Sequence, residues 1–364
     1  MAGMRTTPSL VAIFAPVVSL LAVCLGFFAT TPWASAAEPE AVPERSELLP
    51  RIKAALPRTL KLLQTSSTEY TRQRDCFSCH HQALPAMALA LADRHGWQID
   101  RDVLTAQAQF TVDYFEPRQE KLPQGSGVVG GPYTAGYALA ALAAAERPAD
   151  VTSAALVQYL LKVQEDDGRW RIRARRPPLE ASHFTATALA VLGLNHAQLS
   201  KVETAELDDA ENEVPTAVTK ARRWLNETEP VSNEDRVFQL LGLHWSGAER
   251  ERIAQRGQAL LATQQADGGW EQEPGLGNDA YATGQALVAL HESNCLKPDD
   301  MRYRRGVQFL LVAQQEDGSW LVQSRSRPFQ TYFESGFPHG EAQFISISAT
   351  AWAAMALIHA GNQP

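Results

Sequence analysis

Positive charge is in short supply in this chain: 33 Lys and Arg stand against 41 Asp and Glu, for a net charge of −8 and a pI near 5.6. That balance provides no basic stripe for a nucleic-acid backbone, so that class of partner is excluded. Cysteine is equally scarce, with four in 364 residues, too few for a disulfide framework. Past the N-terminal stretch, no segment reads as apolar enough to cross a membrane.

The first residues carry what an export signal needs. Arg5 supplies the positive charge, an apolar stretch runs from Leu10 to Ala29, and Ala34-Ser35-Ala36 forms a small-x-small cleavage pattern. The expectation is a signal peptide over 1–36, a Pro/Glu-rich linker over 37–48, and a periplasmic or secreted mature chain. Cleavage leaves three cysteines, Cys76, Cys79 and Cys295.

Tryptophan marks a repeat. Gln164-Glu165-Asp166-Asp167-Gly168-Arg169-Trp170, Gln264-Gln265-Ala266-Asp267-Gly268-Gly269-Trp270 and Gln314-Gln315-Glu316-Asp317-Gly318-Ser319-Trp320 share one pattern. Their tryptophans lie 100 and 50 residues apart, with a degenerate copy near Trp224. A period of this length signals a stacked or circular array of helical pairs. In each copy an apolar helix precedes an Asp-Gly turn, where glycine can adopt the left-handed conformation. Tryptophan can then fold back over the helix end, and the glutamine amide can satisfy backbone groups of a neighbouring helix. A second helix rich in alanine and leucine follows, suited to an enclosed position. Extending the period yields six hairpins, near 49–97, 102–146, 151–196, 216–244, 249–291 and 301–360. The expected fold is all-α, a single (α/α)6 toroid over 49–364, with small-residue helices inside. The acidic insertion 200–215 reads as a solvated loop.

The repeated Gln-x-x-x-Gly-x-Trp element resembles the QW motif of squalene-hopene cyclases and the related prenyltransferase beta subunits. The resemblance implies the toroid and a sheltered central cavity. It does not extend to the known chemistry. The Asp-x-Asp-Asp motif with which the cyclases protonate their substrate has no match: Asp166-Asp167 falls in a turn and Asp208-Asp209 in the acidic insertion. The zinc-binding Asp-x-Cys of the prenyltransferases is matched by Asp279-Ala280-Tyr281, with tyrosine in place of the thiolate. Tyr133, Asp279 and Tyr281 stand at the starts of inner helices as candidate cavity-lining residues, Asp279 equally as an N-cap.

One segment carries chemistry of another kind. Cys76-Phe77-Ser78-Cys79-His80 matches Cys-x-x-Cys-His, the attachment sequence of c-type haem. Two thiols three residues apart add across the two vinyl groups, and the following histidine is the axial ligand. Covalent haem is therefore the expected cofactor, held by Cys76, Cys79 and His80. His81 is a candidate catalytic proton-transfer group. Because a ring joins hairpin six to hairpin one, His339 is the first candidate for the second axial ligand and His183 the next. The expected role is electron transfer, or redox chemistry on a molecule in the cavity, with a redox partner or an apolar small molecule as counterpart.

Other readings use the same residues. Cys76 and Cys79 can form a disulfide or a bare metal site. Cys79-His80-His81-Gln82 also resembles the Cys-x-x-Gln segment of complement and macroglobulin proteins, which would make Cys79 and Gln82 the partners of an internal thioester. A toroid holding an apolar ligand without chemistry is a third alternative.

Overall fold

The computed structural model describes residues 42–199, 208–328 and 331–361; the expected signal peptide lies outside them. Twelve α-helices run through these residues. In chain order they are α1 (Arg45–Gln73), α2 (Leu84–Arg94), α3 (Arg101–Phe115), α4 (Pro132–Ala144), α5 (Val151–Lys162) and α6 (His183–Leu199). The remaining six are α7 (Asp208–Glu227), α8 (Asn233–Trp245), α9 (Arg250–Leu261), α10 (Ala280–Glu292), α11 (Met301–Ala313) and α12 (Gln343–Gly361). A two-stranded ribbon, Trp270–Glu271 against Asn278–Asp279, precedes α10.

The even-numbered helices pack on one another in succession from α2 to α12, and α12 returns to α2. Each odd-numbered helix lies outside, against the two inner helices that flank it. This is the expected toroid of six hairpins. Small residues let the inner helices approach closely: a Cβ on Gly136 of α4 would meet Leu189 of α6 at 2.7 Å, and one on Gly284 of α10 would meet the Ala353 backbone of α12 at 2.7 Å. Every residue of α12 from Ile345 to Ala360 is buried, so apolarity on all sides is what its enclosed position requires.

The tryptophan repeats bind the hairpins to one another. The indole N–H of Trp170, Trp270 and Trp320 donates to the carbonyl ten residues earlier, on Leu160, Leu260 and Leu310. Gln164 donates to the carbonyls of Gly168 and of Ala217 on α7, and Gln264 to those of Gly268 and of Arg302 on α11. Gln314 donates to Gly318 and to the Thr59 hydroxyl on α1, 2.9 Å away. The same glutamine that links successive hairpins thus closes the ring. The glycines of these turns have φ of +98°, +91° and +90° and lie against Lys220, Arg305 and Arg58–Thr59. The outer helices end before the glutamine, at Lys162, Leu261 and Ala313, so Asp-Gly shapes the turn after the helix rather than its last residue.

Three readings differ from expectation. Helix α1 begins at Arg45, inside the segment read as linker, and accommodates Pro50 and Pro57; proline content there had suggested irregular chain. The acidic residues Asp208 to Glu213 form the start of α7 and not a loop. The stretch Gly340–Gly361, with mean hydropathy 1.4, is long and apolar enough to cross a membrane by composition. Its apolar surface is spent on burial within the ring.

Candidate functional site

Helix α1 ends at Gln73, and the chain then runs through Cys76 to a π-helical turn, Cys79–Ala83, that leads into α2. Pro85 has no N–H to close an α-helical bond to residue 81, which favours the wider turn. The Ser78 hydroxyl caps the turn, accepting from His81 N at 3.2 Å, and the Gln82 side-chain oxygen accepts from Ser78 N at 2.7 Å.

Neighbouring residues on a regular helix do not face each other. Here the two imidazoles meet edge-on, with Nδ1 of His80 2.5 Å from Nδ1 of His81. The His81 Nε2 lies 2.8 Å from the Ser335 hydroxyl, which donates to the Gln343 side-chain oxygen. Gln343 is oriented by its own amide N–H, which donates to Phe333 O at 2.9 Å. Donor accounting then settles the tautomers. Ser335 spends its hydrogen on Gln343, so His81 Nε2–H must be the donor to Ser335. His81 Nδ1 is therefore bare and accepts from His80 Nδ1–H. His80 Nε2 is left as an unprotonated lone pair.

The surroundings favour the neutral form of both rings. Burial, followed by the Arg176 guanidinium, brings His80 down to about 3. Burial and the neighbouring His80 hold His81 well below the ordinary imidazole range. Tyr70 stacks on His81 with centroids 5.1 Å apart, and Phe344 meets His80 edge-on at 5.8 Å. A cavity of about 220 Å³ opens beside the pair, lined by His80, Arg176, Leu179, Glu180, Phe333 and Phe344 among others. Arg176 and Glu180 form an ion pair in its wall.

Both cysteines of the segment are free. Cys76 is half-buried, with its sulfur 3.2 Å from the Tyr70 hydroxyl. Cys79 is buried, and burial followed by the Glu180 charge pushes its thiol up to about 12. Among the described residues no three His, Cys, Asp or Glu side chains converge as a metal site.

The structure corrects several assignments. His339 does not reach His80: it precedes the short 3-10 turn Gly340–Ala342, and its Nε2 lies 2.7 Å from the Ser319 hydroxyl. His183 accepts from Ile172 N through Nδ1. Neither lines the cavity beside His80. His81 has both ring nitrogens engaged, Nδ1 by His80 and Nε2 by Ser335. The Gln82 amide is held by Ser78 and Gln107 and makes no hydrogen bond to Cys79. Asp279 is the N-cap of α10, accepting from Ala282 N at 2.9 Å. Tyr133 is fully buried against Tyr137, inside the ring. Tyr281 does line a cavity, a second one around Glu234. Ser335, Gln343 and Phe344 escaped sequence reading. The only signal for them is that hairpin six must meet hairpin one.

Residues 212–364 match the family model of the squalene-hopene cyclase C-terminal domain. Drimenyl diphosphate synthase of Streptomyces showdoensis is 29% identical over 211 residues, which cover 57% of this chain and 37% of the relative. The matched stretch therefore spans little more than a third of that protein's length. Residues 212–364 are thus similar to the cyclase C-terminal domain, and the described residues as a whole form a terpene-cyclase-like α/α toroid.

Proposed function

We propose that this chain is an exported c-type haem protein built on a terpene-cyclase-like toroid, acting in redox chemistry. The observation that carries the reading is the bare Nε2 of His80. A neutral imidazole whose other nitrogen donates a hydrogen bond is the state in which histidine binds iron, and the partner of that bond fixes its orientation. His80 meets this requirement through His81, Ser335 and Gln343. The donor set also fits: two free thiols precede the ligand at the required spacing.

Cys76 and Cys79 would each add S–H across a vinyl group, sulfur to one carbon and hydrogen to the next, with no net change of electrons. When bound, haem would supply one-electron chemistry at the rim of the ring. His80 would hold the iron, and Tyr70, Phe344 and Leu179 would exclude water around it. The space beside His80 is about 220 Å³, below the usual size of a site that encloses its ligand. A porphyrin there would extend past the mouth or displace the wall formed by Ser326–Pro328 and Thr331–Phe333. With His339 engaged by Ser319, redox chemistry on a molecule held at this rim of the ring is favoured over simple electron transfer.

The test is expression in a host competent for cytochrome maturation. The expected product is red, with a Soret band that survives acid-acetone extraction and is lost when Cys76 and Cys79 are both replaced by alanine. A colourless, correctly processed protein with three titratable thiols overturns the reading. A mass one ammonia too low would instead support the thioester.

A further inference from the structure

A second cavity, of about 390 Å³, lies at the N-terminal ends of α6, α8 and α10. Its walls include Asn233, Glu234, Asp235, Tyr281, Gln285 and Arg325. Two of these side chains are incompletely satisfied. Gln285 is fully buried, and neither its amide nitrogen nor its oxygen has a hydrogen-bond partner. Buried amides without partners are costly, and a native structure keeps few of them. Glu234 is 5% exposed and has no cationic partner among the described ion pairs, although Thr185 donates to one of its oxygens at 2.8 Å and Tyr281 to the other at 3.0 Å.

The charges around the cavity discriminate between ligands. A helix N-terminus ordinarily attracts anions through its free N–H groups. Here each helix start already carries a side-chain acceptor: Ser182 at α6, Ser232 and Asp235 at α8, and Asp279 at α10. Two of the caps are themselves carboxylates. Arg325 is held by Gln272 and Glu273. An anion would find the Gln285 N–H but would face the carboxylates Asp235 and Asp279, whereas a cation would supply the counter-charge that Glu234 lacks when it ionises. The Gln285 oxygen offers such a cation a second acceptor, and the Gln285 N–H needs an acceptor in return.

We infer that this cavity binds a primary ammonium compound bearing an oxygen acceptor close to the charge, the pattern found in ethanolamine. The ammonium donates to Glu234 and to the Gln285 oxygen, and the ligand oxygen accepts from the Gln285 amide. Both orphaned atoms are then used. The site is separate from His80 and does not depend on haem.

Binding is linked to protonation. Burial lifts the Glu234 carboxyl to about 8, against the pull of Thr185, Gln285 and Tyr281. Gln285 is thus close enough to act on Glu234, though it completes no hydrogen bond of sound geometry. The other groups that face Glu234 are Asp235 on its own helix and Tyr137 from α4. An arriving ammonium displaces the carboxyl proton to solvent, so binding at neutral pH releases a proton and tightens as pH rises toward 8.

The experiment is calorimetric titration of the full chain with ethanolamine, ethylamine and ethylene glycol in buffers of different ionisation heat. Ethanolamine should saturate one site, with a heat that depends on the buffer. Ethylamine lacks the oxygen and ethylene glycol the charge; both should bind roughly ten- to a hundredfold more weakly. Glu234→Gln should lose affinity to a similar degree and lose the buffer dependence. Gln285→Leu should also lose binding while unfolding at a higher temperature than wild type, because two unpaired buried atoms are gone; this shows that the variant folds. Absence of saturable ethanolamine binding, equal binding of ethylene glycol, or undiminished binding by Glu234→Gln overturns the inference.

Discussion

Ser335 and His81 stand 254 residues apart in the chain, yet the hydroxyl of one lies 2.8 Å from Nε2 of the other. This contact joins the last hairpin to the first and sets the direction of every hydrogen bond from His80 to Gln343. Replacing Ser335 with alanine leaves His81 Nε2 and the Gln343 oxygen buried without partners. The expected loss of stability is about 1–3 kcal/mol. In the haem-free protein, nitrogen NMR should find His80 protonated at Nδ1 and bare at Nε2, and Ser335→Ala should mix the two tautomers. A wild-type His80 already protonated at Nε2 would contradict the donor accounting.

The two thiols of the Cys-x-x-Cys segment differ in environment, and reagents should distinguish them. Cys79 is buried with its thiol pushed up to about 12, and alkylation proceeds through the thiolate. Cys76 is half-buried, beside the Tyr70 hydroxyl. In haem-free protein at mildly alkaline pH, iodoacetamide followed by peptide mass analysis should modify Cys76 well before Cys79. Equal rates would mean that the π-helical turn opens readily.

Closure of the ring depends on a glycine. Gly318 has φ of +90°, and a Cβ there would lie 2.8 Å from the backbone nitrogen of Thr59 on α1. Gly275 has a similar φ of +87° but nothing within 4 Å. Alanine at Gly275 should therefore cost only the left-handed backbone penalty, about 1–2 kcal/mol. Gly318→Ala adds a collision with backbone that cannot swing away and should cost clearly more. Denaturant unfolding of the pair separates the two effects; equal losses would show that the α11 turn is not tight against α1.

The ring itself was legible because its determinants are local and recur: glutamine, glycine and tryptophan fall at fixed offsets, and each copy performs the same hydrogen bonding. The site was legible only in part. Cys76, Cys79 and His80 fall within one short segment and announce themselves. Their support comes from Ser335 and Gln343, which belong to no repeat and meet the site only when the ring closes. The same closure made His339 an attractive ligand candidate. Hairpin six does arrive at His80, but it presents Phe344 and the hydroxyl-amide pair, while His339 is taken by Ser319. Adjacent histidines gave no hint that they would face each other, because that depends on a π-turn and not on helical spacing.

Buried acids and buried imidazoles oppose each other across the pH scale, and stability should therefore peak in mild acid. Burial, aided by nearby His291, His95 and Arg94, lowers His359 from 6.5 to about 3. Its unfolded form takes up a proton first, so stability falls as pH drops below 6.5 and continues to fall toward about 3. Glu234 and Glu292 behave in the reverse sense, raised by burial from 4.5 to about 8 and about 7. Their folded forms hold the proton longer, so their stabilising effect is complete below 4.5 and is lost as pH climbs to about 7 and 8. Each group contributes a slope of at most about 1.4 kcal/mol per pH unit within its window. Of these three, only the histidine acts below 4.5 and only the carboxyls act above 6.5, so the maximum falls between those values. Thermal unfolding midpoints measured across this range should trace that curve. Glu234→Gln should flatten the alkaline limb and His359→Leu the acid limb. A midpoint that rises steadily to pH 8 would show that the two carboxyls are ionised in the folded chain.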